Sequence, residues 1–156
     1  MATSIFKGIA EENACFQTSF GDSRCVLLSV PNEKNSVKVM PWRINEQRNG
    51  FVEFTEKGQV LTVHQVTALL QKLPILKESV MALKNNLLEG PIQWDLGESL
   101  MVSLDPKYPC VNIRKTWFNP YTGASGYRKQ GLTLRLKSEF EDFVKAVEQA
   151  FPYLDL

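Results

Sequence analysis

The chain has 156 residues, 44% of them hydrophobic and 22% charged, and its 18 basic and 17 acidic side chains give a net charge of +1. This length allows one ordinary domain or two very small ones, and this composition excludes wholesale disorder. The near-neutral total excludes a histone-like polycation. It leaves open how the charges are distributed, which matters more for a nucleic-acid partner.

The residues that usually build metal and catalytic sites are scarce. Cys15, Cys25 and Cys110 are an odd number of cysteines without a CxxC pair, so neither a disulfide framework nor a zinc knuckle is predicted. His64 is the only histidine, which leaves almost no material for a zinc site or a Ser-His-Asp triad. We therefore expect no metal, no cofactor and no enzyme activity.

Nothing in the sequence predicts a membrane partner. No apolar run approaches the roughly 20 residues that span a bilayer, and the N-terminus lacks a long apolar core behind a basic start. We expect a soluble, intracellular protein of the nucleus or cytoplasm.

Self-similarity divides the chain into two halves that follow an N-terminal extension at 1–13. Phe16–Val30, FQTSFGDSRCVLLSV, aligns with Ile92–Pro106, IQWDLGESLMVSLDP. Further on, Val37-Lys38-Val39 aligns with Val111-Asn112-Ile113, and a tryptophan and an asparagine follow in both. Gly58 then aligns with Gly131, each before a strand pattern and a helical pattern. The predicted repeats are 14–89 and 90–156, together one compact unit.

Apolar periodicity gives the elements of each repeat. In the first, strands precede a helical stripe at Val66, Leu69, Leu70 and Leu73, which Pro74 is expected to interrupt. A second helical piece, Ile75–Leu88, is expected to bridge the repeats and to end at Gly90-Pro91.

The second repeat shows the alternation of half-buried strands. The alternating residues are Leu100, Val102 and Leu104; Val111 and Ile113; and Leu132, Leu134 and Leu136. Asn119–Gly123 predicts a hairpin tip. Ser138 and Glu141 have capping-box spacing before a helical stripe at Phe140, Phe143, Val144, Val147 and Phe151.

The predicted fold class is α+β. Each repeat should be a small antiparallel β-sheet followed by one helix. One such sheet and helix bury too little surface to be stable alone, so we expect the two repeats to pack as an intramolecular pseudo-dimer.

The second repeat also resembles a known family. The run VNIRKTWFNPYTG from Val111, the run YRKQGLTLRL from Tyr127 and the helix after them are similar to the single-stranded-DNA-binding domain of positive-cofactor-4 type transcriptional coactivators. The Whirly and Pur-alpha proteins have related strand-plus-helix repeats. The resemblance implies a curved saddle for unwound strands, both halves of which one chain would supply.

The first repeat departs from the family pattern. Met40 stands at the position of Arg114, and Glu56-Lys57-Gly58 stands where Arg128-Lys129-Gln130-Gly131 stands later. If the family's surface is used, the first repeat has lost part of it.

The basic residues support the same function by their chemistry. Between Asp105 and Glu139 lie seven of the 18 cations and none of the 17 carboxylates. Phosphates attract such a stretch, and unpaired bases stack on aromatic rings among the cations. The candidate nucleic-acid-binding residues are Lys107, Arg114, Lys115, Trp117, Phe118, Tyr127, Arg128, Lys129 and Arg135, with Lys38, Trp42, Arg43 and Lys57 in the first repeat. Arg114 and Lys129 are expected to hold phosphates and Trp117 to stack on a base.

Other interpretations stay open. The basic stretch could be a solvated hairpin with Trp117 in the core, and Gly123-Ala124-Ser125-Gly126 could be a plain turn rather than a backbone clamp. The leading hypothesis is a single-stranded nucleic-acid-binding protein that prefers DNA and acts in transcription or replication, with transcription or replication proteins as further partners. The alternative is a protein–protein adaptor or coactivator module of the transcription machinery with residual binding. RNA as the strand, and a homodimer of the two-repeat chain, are further alternatives.

Overall fold

The structure, a computed structural model, describes residues 14–21, 25–45, 51–54 and 58–156, with side chains for all of these but 43–45 and 51–54. Its first sheet is antiparallel. The strands of this sheet are β1 (Ala14–Phe20), β2 (Cys25–Pro31), β3 (Ser36–Asn45), β4 (Phe51–Phe54) and β5 (Gln59–Thr62). Strand β3 pairs with β2 on one side, and on the other side with β5 along its first half and β4 along its second half.

Helix α1 (Val63–Lys84) leads to a second antiparallel sheet with the order β6-β7-β8-β9. The strands of this sheet are β6 (Ile92–Gly97), β7 (Leu100–Asp105), β8 (Tyr108–Phe118) and β9 (Ser125–Arg135). Helix α2 (Phe140–Ala150) and a short 3₁₀ helix (Phe151–Tyr153) follow. The chain is therefore α+β, with two antiparallel sheets and two helices.

The alternation predicted for the second sheet is confirmed. All eight alternating residues, Leu100, Val102, Leu104, Val111, Ile113, Leu132, Leu134 and Leu136, are buried. The hairpin tip at Asn119–Gly123 is confirmed as well, because β8 ends at Phe118 and β9 begins at Ser125. The tip is closed by backbone bonds in which Gly123 donates to Asn119 and Asn119 donates to Ala124, each at 2.8 Å.

Helix α1 passes through Pro74, so the break predicted there and the separate helix Ile75–Leu88 are wrong. Proline removes one backbone donor and crowds the preceding turn, but Pro74 lies on the exposed side of the helix. The buried stripe continues on both sides of it, through Leu73, Leu76 and Val80. Packing of this stripe holds the helix continuous despite the local cost.

The capping box lies at a different helix from the predicted one. Helix α2 begins at Phe140 with Glu139 as its N-cap and has no side-chain capping bond, so the Ser138–Glu141 box is wrong. Glu139 is instead buried, and its Oε1 accepts from the Arg135 backbone N–H at 3.0 Å. A complete capping box occurs at α1, between Thr62 and Gln65.

One hydrophobic core joins both sheets and both helices. Helix α1 packs against β6, β7 and β8 of the second sheet as well as β3 and β5 of the first. Helix α2 packs against β1 and β2 of the first sheet as well as β9. Each helix therefore packs on both sheets, so the main core is shared between them, and a small separate cluster of Leu27 and Trp42 lies on the first sheet.

The C-terminal residues also cross to the first sheet. Tyr153 stacks on Phe16 of β1 with ring centroids 4.7 Å apart, and the Asp155 N–H donates to the Lys34 carbonyl at 2.9 Å. Among the described residues, no helix has the length and apolar character needed to cross a membrane.

Gln65 connects the two sheets through a single buried side chain. It is 1% exposed; its Oε1 accepts from the Thr62 N–H and its Nε2 donates to the Gly97 carbonyl, both at 2.9 Å. Gln65 therefore caps α1 and ties it to the end of β6.

We predict that Gln65→Met lowers the free energy of unfolding by about 1–3 kcal/mol, because the Gly97 carbonyl and the Thr62 N–H lose their partner at similar side-chain volume. Urea denaturation measures the change. Gln71→Met, on the exposed side of the same helix, should leave the midpoint nearly unchanged. An equal loss in both variants would contradict the role of Gln65.

Candidate functional site

The face of the second sheet that is turned away from the core carries a row of polar side chains. Gln93 pairs with Ser103, Ser103 with Asn112, and Asn112 with Thr133, so the row crosses all four strands in register. These positions alternate with the buried residues of each strand, which puts the row on the outer face. The row forms the floor of the candidate site.

Arg114 lies next to this row, and hydrogen bonds to both backbone and side-chain oxygens hold it there. Its Nη1 donates to the Lys129 carbonyl and its Nη2 to Thr133 Oγ1, each at 2.6 Å, and its Nε donates to Asn112 Oδ1 at 3.4 Å. Thr133 Oγ1 in turn donates to Asn112 Oδ1 at 2.9 Å. The guanidinium group is therefore fixed flat along the sheet.

Gly131 makes this arrangement possible. Arg114 pairs directly with Gly131 across β8 and β9. A Cβ at Gly131 would overlap Arg114 Cγ and would lie 2.8 Å from the Ile113 carbonyl oxygen. Any other residue at this position would push Arg114 off the sheet.

A bulge in β9 brings two more cations to the site. Arg114 pairs with Gly131 and Thr116 with Tyr127, so Arg128, Lys129 and Gln130 stand opposite Lys115 alone. Extra residues in one strand break the ladder locally and turn side chains outward. Arg128 and Lys129 are both exposed here.

The floor and the bulge enclose an open cleft of 690 Å³. Arg114, Arg128 and Lys129 line it, with Asp105 as the single carboxylate among its lining residues. Tyr127 forms part of the wall, and its hydroxyl donates to Gln93 Oε1. The cleft is thus positively charged, with an aromatic ring beside it.

Exposed aromatic rings also lie near the hairpin, where Tyr127 lines the cleft and Trp117, by strand alternation, lies on the other face of β8. Trp117 is 41% exposed, Phe118 66% and Tyr127 45%, so the alternative that put Trp117 in the core is wrong. The indole lies over Gly126, where a Cβ would be 3.2 Å from its Cζ2 and Nε1 atoms. One side of the ring is supported by backbone, and the rest is available to a ligand.

The structure separates several other predicted residues from the cleft. Lys115 lies in a second cleft of 500 Å³ with Gln59, Glu98 and Arg128, toward the first sheet. Lys107 is in the turn between β7 and β8, and Arg135 lies at the opposite end of β9 from the bulge, paired with Cys110. Arg128 lines both clefts and connects them.

The predicted residues of the first sheet do not form a similar surface. Lys38 is exposed on β3. Trp42 is 9% exposed and packs with Leu27 in a small cluster, so its ring offers no free face. The side chain of Arg43 and all of Lys57 lie outside the described residues.

Sequence reasoning missed the floor of the site. Gln93, Asn112 and Thr133 are ordinary strand residues whose role depends on cross-strand register. The self-alignment did contain one signal, since Gln17 aligns with Gln93 and both follow a large apolar residue.

Cys110 lies at the end of the polar row and reports on the surroundings of Arg114. Burial raises the pKa of its thiol, while a hydrogen bond from Asn112 and the charge of Arg114 act in the opposite direction. The thiol is therefore mostly protonated at neutral pH and a slow nucleophile. Within the described ranges, no group of three or more His, Cys, Asp or Glu residues could hold a metal ion.

We predict that Gly131→Ala lowers the unfolding free energy by roughly 1–3 kcal/mol, because the new methyl group meets Arg114 and the Ile113 carbonyl. Adding Arg114→Ala should recover part of the loss, so the double-mutant cycle should give a non-zero coupling energy. Gly90→Ala, where a Cβ would meet nothing within 4 Å, is the control. Strict additivity would contradict the contact.

Comparisons with known proteins do not identify the chain. No protein-family model matches it, and neither a curated protein nor a solved structure does. Its function is therefore inferred from the site itself.

Proposed function

We propose that this protein binds single-stranded nucleic acid, DNA in preference to duplex, in transcription or replication. The observation that carries the proposal is the cleft on the second sheet, where Arg114, Arg128 and Lys129 lie with the half-exposed ring of Tyr127. Cations neutralise phosphates, and exposed rings stack on bases that a duplex would keep paired.

The rigidity of Arg114 supports a role in phosphate binding. A guanidinium group already fixed by hydrogen bonds to Asn112, Lys129 and Thr133 loses little side-chain entropy when a phosphate arrives. Arg128 and Lys129 are exposed, so their side chains can contact successive phosphates of a nucleic-acid strand. The acid-free hairpin avoids repelling those phosphates.

We further propose that the chain is a tandem repeat packed as an intramolecular pseudo-dimer. Cross-strand registers support it: Gln17, Ser29, Lys38 and Val60 form a row in the first sheet that matches the row Gln93, Ser103, Asn112 and Thr133. The exchange of helices between the sheets is what an intertwined dimer would have.

The glycine contact recurs in the first sheet. A Cβ at Gly58 would overlap the Val39 carbonyl oxygen and would lie 3.2 Å from Met40 Cα. Met40 and Gly58 thus have the relation of Arg114 and Gly131. The repeat has kept the backbone geometry and changed the side chain that uses it.

This difference assigns binding mainly to the second sheet. Met40 cannot donate to a phosphate, and Val60 stands where Thr133 orients the arginine. The matched tryptophans of the sequence alignment also occupy different places, since Trp42 pairs with Phe54 whereas Trp117 pairs with Gly126. Strand binding by the two sheets is therefore unequal.

The adaptor function is the second candidate, and the first sheet favours it. Its outer face carries an apolar cluster of Leu27 and Trp42, with Cys25 and Met40 against it, where the second sheet has polar and basic residues. Leu27 and Trp42 are buried within the chain, so this cluster offers a phosphate no donor, which favours a protein partner over a nucleic acid for this sheet.

We predict that single-strand affinity falls linearly on a log–log plot against salt, with a slope of about −4 if six phosphates are contacted. Arg128→Ala and Lys129→Ala should each make the slope shallower by about 0.7, since each removes one phosphate contact. Fluorescence anisotropy with a labelled oligonucleotide measures both effects. The control is Lys77→Ala on α1, which removes the same charge in the groove between the helices.

Trp117→Ala should weaken binding by about 1–3 kcal/mol with the salt slope unchanged, because it removes stacking and no charge. If the wild-type protein does not bind the single-stranded oligonucleotide at low salt, the proposed function is wrong. A loss of affinity in Lys77→Ala equal to that in Lys129→Ala would sink the assignment of the site.

The adaptor candidate makes a different prediction in cells. Combined Arg114→Ala and Trp117→Ala should abolish strand binding, and under the adaptor function the cellular function should persist. If cellular function is lost together with binding while the variant keeps its unfolding midpoint, nucleic-acid binding is the activity that matters.

A further inference from the structure

We propose that the cleft on the second sheet reads one base of the bound strand and selects bases with a keto oxygen at pyrimidine position 4 or purine position 6, namely uracil, thymine and guanine, over cytosine and adenine, which carry an amino group there. The inference rests on the proposed function and adds base selectivity to it. Its basis is the direction of the hydrogen bonds that orient Asn112 and Gln93 on the cleft floor.

The Arg114 network determines the orientation of Asn112. Guanidinium groups only donate hydrogen bonds, so the atom of Asn112 that faces Arg114 Nε must be the carbonyl oxygen. Thr133 Oγ1 accepts from Arg114 Nη2 and therefore directs its own hydrogen to the same Asn112 oxygen. The amide nitrogen of Asn112 must point the other way.

That nitrogen keeps its donor capacity for a ligand. Its contact is with Cys110 Sγ at 3.7 Å, and thiol sulfur is a weak acceptor. Because the floor is half-buried, a base that accepts from Asn112 gains a hydrogen bond partly shielded from water.

Gln93 presents a second donor on the same row. The Tyr127 hydroxyl donates to Gln93 Oε1, which orients the amide so that its Nε2 group is turned away from the phenol. Gln93 is exposed, and within the described part of the chain its Nε2 has no hydrogen-bond partner. Asn112 and Gln93 both line the cleft.

The cleft floor therefore offers N–H groups whose matching acceptors on a base are keto oxygens. Uracil and thymine present O4 and guanine presents O6, whereas cytosine and adenine present amino groups at the same positions. An amino group facing these N–H groups would leave one donor unpaired on the base and another unpaired on the protein. The free-energy cost of these unpaired donors supplies most of the discrimination between the bases.

The size and walls of the cleft fit a base. Its 690 Å³ is within the roughly 300–1,000 Å³ of small-molecule sites. The half-exposed ring of Tyr127 can stack on the base while its hydroxyl holds Gln93. Arg128 and Lys129 lie alongside for the adjoining phosphates.

Asp105 is the one group in the cleft with the opposite preference, because a carboxylate accepts from the amino group of cytosine. It lies at the turn between β7 and β8, and its Oδ1 already accepts from the Lys107 N–H at 2.9 Å. The N–H groups of Asn112 and Gln93 in the central row should therefore decide which base is preferred.

The test compares oligodeoxyuridine with oligodeoxycytidine of equal length at mildly alkaline pH, where cytosine N3 is neutral. The two pyrimidines are similar in size and differ at position 4 and N3. Wild-type protein should bind the uridine strand about 5- to 100-fold more tightly. Gln93→Met should bring the ratio toward one and leave the salt slope unchanged.

The controls separate this inference from the proposed function. Gln149→Met, an exposed change on α2, should keep the wild-type ratio, and Gln93→Met should keep the wild-type unfolding midpoint. Equal affinity of wild type for both strands would overturn base selectivity while strand binding stands. A cytidine preference that Asp105→Asn removes would overturn it too, and would assign reading to the carboxylate. Binding to neither strand at low salt would sink the proposed function itself.

Discussion

Exchange of helices between the two sheets is the constraint on which the rest of the structure depends. A sheet of four or five short strands with one helix buries too little apolar surface for stability, and here α1 and α2 each pack on both sheets. The result is one continuous core. Gln65 adds a directional bond from the start of α1 to the end of β6, which specifies how the two parts meet.

Among the described residues, α1 and α2 both pack on the core side of the sheets. On the second sheet the outer face is polar and charged, and Arg114 is fixed there because Gly131 lets its side chain cross the strand. On the first sheet Met40 takes the corresponding contact with Gly58, and Leu27 and Trp42 are buried nearby. The two sheets therefore differ in chemistry on these faces, since the second is polar and charged and the first carries a buried apolar cluster.

Much of the fold could be predicted from local pattern. The alternation at Leu100, Val102 and Leu104, the turn at Asn119–Gly123 and the helical stripe from Phe140 all depend on neighbours in sequence, and all agree with the structure. The passage of α1 through Pro74 could not be predicted, because the cost of proline is local whereas the packing that offsets it comes from strands far along the chain. The candidate site was predictable to the same extent: the sequence showed its cations and aromatic rings, but it did not show where the fold places them.

The sequence by itself determined the α+β elements, the charge segregation between Asp105 and Glu139 and the self-similarity that relates Gln17 to Gln93. These are properties of composition and spacing, which do not require knowledge of distant contacts. Only the tertiary structure decided that Trp117 is exposed while Trp42 is buried, and that Arg114 is held by Thr133 and Lys129. The physical reason is strand register. Pairing by one residue more or less turns every side chain to the opposite face, and the β9 bulge and the helix exchange set that register through contacts the linear pattern does not contain.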